Sequence, residues 1–195
     1  AFGRALMGIG FIFVGIDAIK LGFTDMGGAV DFTQLQVSGI TEILIFTAIG
    51  LLLTVVLQST HAALILTLAA LAGGQIAPEQ AFALAIGSNV GSSISTAFVG
   101  FLGSDRNGQR LALAHVLFNV VTAIISLLLF LPLSALVLNA TTWVGLGDNG
   151  LIQLALFHTL FNVLGVVVFW RLQNRLAGKL KQWLPDRTEQ TVPTL

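Results

Sequence analysis

Five apolar runs, at 5–23, 41–73, 81–103, 111–138 and 150–170, take up most of this chain, and each is long enough to cross a hydrocarbon core, which needs about 20 residues of helix. A segment in lipid finds no water to satisfy its backbone, so runs of this length fold as helices. Composition agrees: 55% of residues are hydrophobic and 9% charged, whereas a soluble domain carries about 25% charged residues. The fold class read from these features is all-α and integral to a membrane. A formal net charge of +0 argues against a nucleic-acid partner, whose recognition needs a clustered surplus of Lys and Arg. With no cysteine, disulfides, thiolate metal sites and cysteine nucleophiles are excluded together. The chain starts at Ala1 without a signal-peptide pattern and reads as part of a longer protein.

The separators are short and polar. Residues 24–34 hold Asp25, Gly27, Gly28 and Asp31, residues 104–110 read SDRNGQR, and residues 139–149 read NATTWVGLGDN; all predict surface turns. Positive charge collects at Arg106 and Arg110 in the second turn and at Arg171, Arg175, Lys179, Lys181 and Arg187 after the last run. By the positive-inside rule the 104–110 turn and the C-terminal tail are cytoplasmic, and the other two turns face outward. An odd number of crossings must then join residue 34 to residue 104, so 41–73 and 81–103 cannot both be simple spans. The preferred layout makes 41–73 a re-entrant helical hairpin that turns at 58–60 and leaves through Gly73, Gly74 and Pro78, while 81–103 crosses. The other layout has a broken span at 41–73 and a re-entrant 81–103.

Two polar interruptions stand inside these runs. The first is Gln58, Ser59, Thr60 and His61, in the middle of LLLTVVLQSTHAALILTLAALAGG. The second is AIGSNVGSSIST at 85–96, where Gly87 and Gly91 are expected to unwind the helix and Ser88, Asn89, Ser92, Ser93, Ser95 and Thr96 supply oxygens. Irregular backbone at membrane depth needs a protein interior or a water-filled cavity around it. Half-helices ending there aim N-terminal amides at anions, and freed carbonyls with Ser, Thr, Asn and Gln oxygens suit Na⁺, the pattern of a cation-coupled anion carrier. The plainer reading is that the hydroxyls bond back to their own helices and the small residues only let helices approach.

Outside these clusters, HVLFN at 115–119 and HTLFN at 158–162 repeat one pattern, read as a neutral histidine and an asparagine bonded across helices at two equivalent packing positions. The functions of His61, His115 and His158 stay open at this stage. Asp17 has Lys20 three residues on, a helix-surface pair, and Glu42 is placed at the hairpin mouth. Neither acid has the nucleophile, base or ligand spacing of an enzyme, so no catalytic residue is assigned. Residues 170–184 carry Leu172, Leu176, Leu180, Trp183 and Leu184 at helical spacing and read as an interfacial amphipathic helix.

Gln58-Ser59-Thr60, followed about 30 residues on by Gly87-Ser88-Asn89-Val90-Gly91-Ser92 and then by LALAHVLFN, resembles the sodium/phosphate cotransporter family, over roughly residues 5 to 172. The resemblance is closest to the second repeat of its bacterial members. It implies one repeat of an inverted-repeat transporter with a re-entrant hairpin and a broken transmembrane helix, occupying 1–172, with 173–195 as a cytoplasmic amphipathic tail. It further implies sodium-dependent symport of inorganic phosphate across the inner (plasma) membrane, with Na⁺ as coupling ion and no other cofactor. Gln58, Ser59, Thr60, Asn89, Ser92 and Ser93 are the implied substrate and sodium residues, with Ser59, Thr60 and Asn89 as sodium ligands. His61 departs from the family's small polar residue. The family's second motif is missing, so a first repeat or a second copy is the implied partner. A carrier of another small anion and a non-transporting membrane scaffold are the alternatives.

Overall fold

The computed structural model describes residues 2–25, 38–147 and 149–186. Among them every regular element is a helix: α1 (Phe2–Asp25), α2 (Ile40–Leu57), α3 (Thr60–Ala72), α4 (Pro78–Gly103), α5 (Arg106–Leu128), α6 (Phe130–Trp143), α7 (Gly150–Trp170) and α8 (Gln173–Trp183). Of these, α2, α4, α5 and α7 are long and apolar enough to cross a membrane. Their outward side chains are apolar: Val56 is 77% exposed, Phe98 69% and Leu128 78%, surfaces that hydrocarbon solvates and water does not. The chain is an all-α membrane protein. The expected turn at 24–34 lies outside the described residues apart from the end of α1, as does the side chain of Lys20.

Helix directions follow from which residues meet. Glu42 faces Gln80, Gly50 packs on Leu84, and Leu51 and Thr54 pack on Gly91, so α2 and α4 run parallel. Helix α5 returns antiparallel to both α4 and α7, with Gly100 against Ala112 and Gly165 against Thr122 and Phe118. Helix α3 runs against α7, its Leu71 lying on Gly150 at the start of that helix. The chain therefore enters along α2, reverses at 58–59, comes back along α3 and passes down α4. Thirteen residues at about 1.5 Å each give α3 a length of about 20 Å, short of the roughly 30 Å of a hydrocarbon core.

Two expectations are corrected. Residues 85–96 do not form a break: α4 is one helix of 26 residues through Gly87 and Gly91. The glycines instead let α2 approach, because a Cβ on Gly87 would overlap the Thr47 carbonyl oxygen and the Leu51 nitrogen, and one on Gly91 the Leu51 carbonyl oxygen. The 111–138 run is likewise not one span but two helices, α5 and α6, that meet at Leu129. Pro132 is the reason, since it lacks an N–H and its ring would strike the carbonyl four residues back; it sits instead in the first turn of α6, where neither matters.

The turns are also shorter than expected. Asp105 caps α5, its carboxylate accepting from the Gly108 amide at 2.8 Å, so Arg106 and Arg110 are already helical. Helix α6 runs on to Trp143, and only 144–149 connects it to α7. The amphipathic helix starts at Gln173, after a turn at Arg171 and Leu172, and buries Leu180. An aromatic cluster holds α4, α6 and α7 together: Phe82 stacks on Phe157 at 4.3 Å, with Phe130 and Phe161 each 5.8 Å from Phe157. These contacts set the depth at which the polar residues of α4 and α7 meet.

Candidate functional site

The interruption at 58–60 is a designed corner between half-helices. Gln58 closes α2 in the left-handed conformation, φ 52 and ψ 27, the sole non-glycine residue with positive φ among those described. Such a conformation costs a non-glycine residue about 1–2 kcal/mol and needs a surrounding reason to persist. Ser59 then caps α3, its Oγ accepting from the Ala62 amide at 3.2 Å. The remaining free amides at that end carry part of the helix dipole, equivalent to about half a positive charge. Gln58 and His61 are exposed on this chain, and Ser59 and Thr60 half-buried.

On α4 the polar residues divide into two kinds. Ser88, Ser95 and Thr96 donate to carbonyls four residues back, Leu84, Gly91 and Ser92, and Ser93 donates to Val90 at 2.7 Å. For these hydroxyl protons the plainer reading holds: they satisfy their own helix. Asn89 is different. Its Nδ2 donates to Asn162 Oδ1 at 2.9 Å, its Oδ1 lies 3.2 Å from His158 Nε2, and Asn162 Nδ2 donates to the His158 carbonyl at 2.8 Å. The His158 ring also stands edge-on to Phe161 at 5.2 Å.

Register places the corner beyond this network along α4. Thr54 lies against Gly91 and α2 runs parallel to α4, so Gln58, about one turn further along, stands near the level of Ser95. From the other side, His61 lies within electrostatic range of His158. The structure brings Asn89 on α4 together with His158 and Asn162 on α7, with Ser92 one turn further along α4 towards the level of the α3 N-terminus. It does not bring in His115, which lines an apolar groove of about 860 Å³ with Phe118, Phe169, Trp170 and Leu176 near α8. Ser93 is fully buried, away from the exposed side of the corner. Glu42 accepts from Gln80 Nε2 at 2.6 Å at the mouth of the hairpin, as its sequence position suggested.

The chain was compared with known proteins. It is 26% identical over 192 residues to a Salmonella typhimurium protein and 26% identical over 187 residues to one from Escherichia coli K12; both carry the provisional name inorganic phosphate export protein YjbB. The alignments cover 98% and 96% of this chain but 34% and 33% of those relatives, so the chain spans about a third of their length. No protein-family model matches it, and no solved structure does. The relatives are named for phosphate.

His158 and Asn162 are the residues that sequence reading undervalued. The repeated HxLFN pattern was the available signal, read as a histidine and an asparagine bonded across helices; in both copies the asparagine also donates to the carbonyl of its own histidine, Asn119 to His115 at 2.9 Å and Asn162 to His158 at 2.8 Å. What separates the copies is the asparagine of another helix, which only the second copy meets among the described residues. Among those residues no group of three or more His, Cys, Asp or Glu could hold a metal ion. An ion bound at the corner would be held by hydroxyl, amide and carbonyl oxygens.

Proposed function

We propose that this chain is one repeat of a sodium-coupled carrier of inorganic phosphate in the cell membrane, with Gln58, Ser59, Thr60, Asn89 and Ser92 at its substrate and sodium site. The observation that carries the proposal is the α3 half-helix: it starts at a corner inside an apolar run, capped by Ser59, with the remaining N-terminal amides free where an anion would lie. The names of the relatives supply the substrate. No Lys or Arg lies in 51–73 or 81–103, so the phosphate charge has no side-chain cation opposite it in these segments. Desolvating an anion there costs several kcal/mol beyond what a helix end returns, and co-bound Na⁺ offsets the rest. Sodium is then required for binding, and by linkage each ligand raises the affinity for the other.

The relatives' name speaks of export. A symporter runs in whichever direction the summed sodium and phosphate gradients point, so one site serves either direction. The test is ³²P-phosphate flux in proteoliposomes holding the full-length carrier, with an imposed gradient of Na⁺ or of choline at equal ionic strength. Flux in sodium and none in choline is expected, and Gln58→Ala and Asn89→Ala should each remove it with normal insertion. Equal flux in choline would reject the coupling, and wild-type flux in both variants would reject the site.

A further inference from the structure

One backbone carbonyl decides which way the Asn89 amide points. The His158 carbonyl oxygen can only accept, so the group it meets at 2.8 Å is the NH₂ of Asn162. That leaves Asn162 Oδ1 towards Asn89, and because this oxygen also only accepts, Asn89 presents Nδ2 to it at 2.9 Å. Asn89 Oδ1 is thereby turned to His158 Nε2 at 3.2 Å, and that nitrogen carries a proton. Neutral and protonated imidazole can both donate from Nε2, so this orientation does not depend on pH.

We propose that His158 and Asn162 are positioning residues that lock Asn89 as a hydrogen-bond donor, so that its ligand is an oxygen of the phosphate anion and not Na⁺. The proposal rests on the reading of Asn89 as part of the substrate site and changes its assignment there from sodium ligand to anion donor. With one N–H engaged by Asn162, Asn89 keeps a second N–H to offer. Its oxygen already faces the N–H of His158, whose positive hydrogen disfavours a cation approaching the same atom. Sodium is left to the Ser59 and Thr60 oxygens and the free carbonyls at the end of α2. Asn119 shows the motif without the lock: it makes the same bond to its own histidine carbonyl, but no asparagine on a second helix bonds to it among the described residues.

The test uses calorimetric titration of inorganic phosphate into purified protein in sodium, and Na⁺-dependent thermal stabilisation measured without phosphate. Asn89→Asp keeps the shape but presents only acceptors, and should weaken phosphate binding at least about tenfold without loss of the sodium response, which an added carboxylate favours. His158→Gln retains an N–H near the Nε2 position and should stay within about threefold of wild type in phosphate affinity, whereas His158→Phe should bind phosphate about tenfold more weakly. Asn89→Asp losing the sodium response, or His158→Phe binding phosphate as tightly as wild type, would overturn the lock with the carrier reading intact. Wild-type protein that binds no phosphate would overturn both.

Discussion

Gly87 shows how one residue type can carry opposite meanings. In the sequence it stands with Gly91 among serines and suggests an unwound helix; in the structure it lies under the Thr47 carbonyl with α4 unbroken. Both readings use the missing Cβ, one for backbone freedom and the other for closeness. Gly87→Ala gains about 1 kcal/mol of helix propensity but places a methyl group on backbone that cannot turn aside, an overpacking cost of about 1–3 kcal/mol or more. It should lower the melting temperature of the purified protein. Gly178→Ala, in α8 with nothing within 4 Å of the added Cβ, should leave it unchanged or raise it. Equal effects at the two positions would contradict the packing account. The same limit applies to Asn89, whose sequence neighbours suggested a site but not its partners, which lie 69 and 73 positions away.

Among the helices, the corner at 58–60 was legible because a polar triplet inside an aliphatic run has no helical explanation in lipid. The break at Leu129 had a signal too, Pro132, but the apolar run continues through it and its length read as a single span. Left-handed Gln58 makes a prediction at this scale. Gln58→Gly relieves the strain of φ 52 and should leave thermal stability unchanged or raise it by up to about 1 kcal/mol, while abolishing sodium-dependent phosphate flux. A variant both destabilised and active would mean that Gln58 serves the corner and not the ligand.

Across the whole molecule, one contact joins two segments that charge alone had paired. Arg110, 8% exposed, donates from Nε and Nη2 to the Leu184 carbonyl and from Nη2 to Asp186 at 2.7 Å, so the start of α5 and the end of α8 share one side. The 73–77 and 144–149 connections share the other, where Leu71, Ile76, Pro78, Gly147 and Asn149 line a cavity of about 830 Å³. With the basic side cytoplasmic, an impermeant maleimide applied to whole cells should label a cysteine at Asn149 and not one at Asp186, a clean assay in a chain without cysteine. The reverse pattern would invert the topology. Run lengths, the charge pattern and the corner at 58–60 were determined by the sequence alone, because a helix in lipid must satisfy its backbone from its own neighbours and each signal is local. Only the tertiary structure decided that Gly87 and Gly91 serve packing and that Asn89 meets His158 and Asn162. Those outcomes depend on which face of a distant helix arrives, and that is set by the packing of the whole bundle.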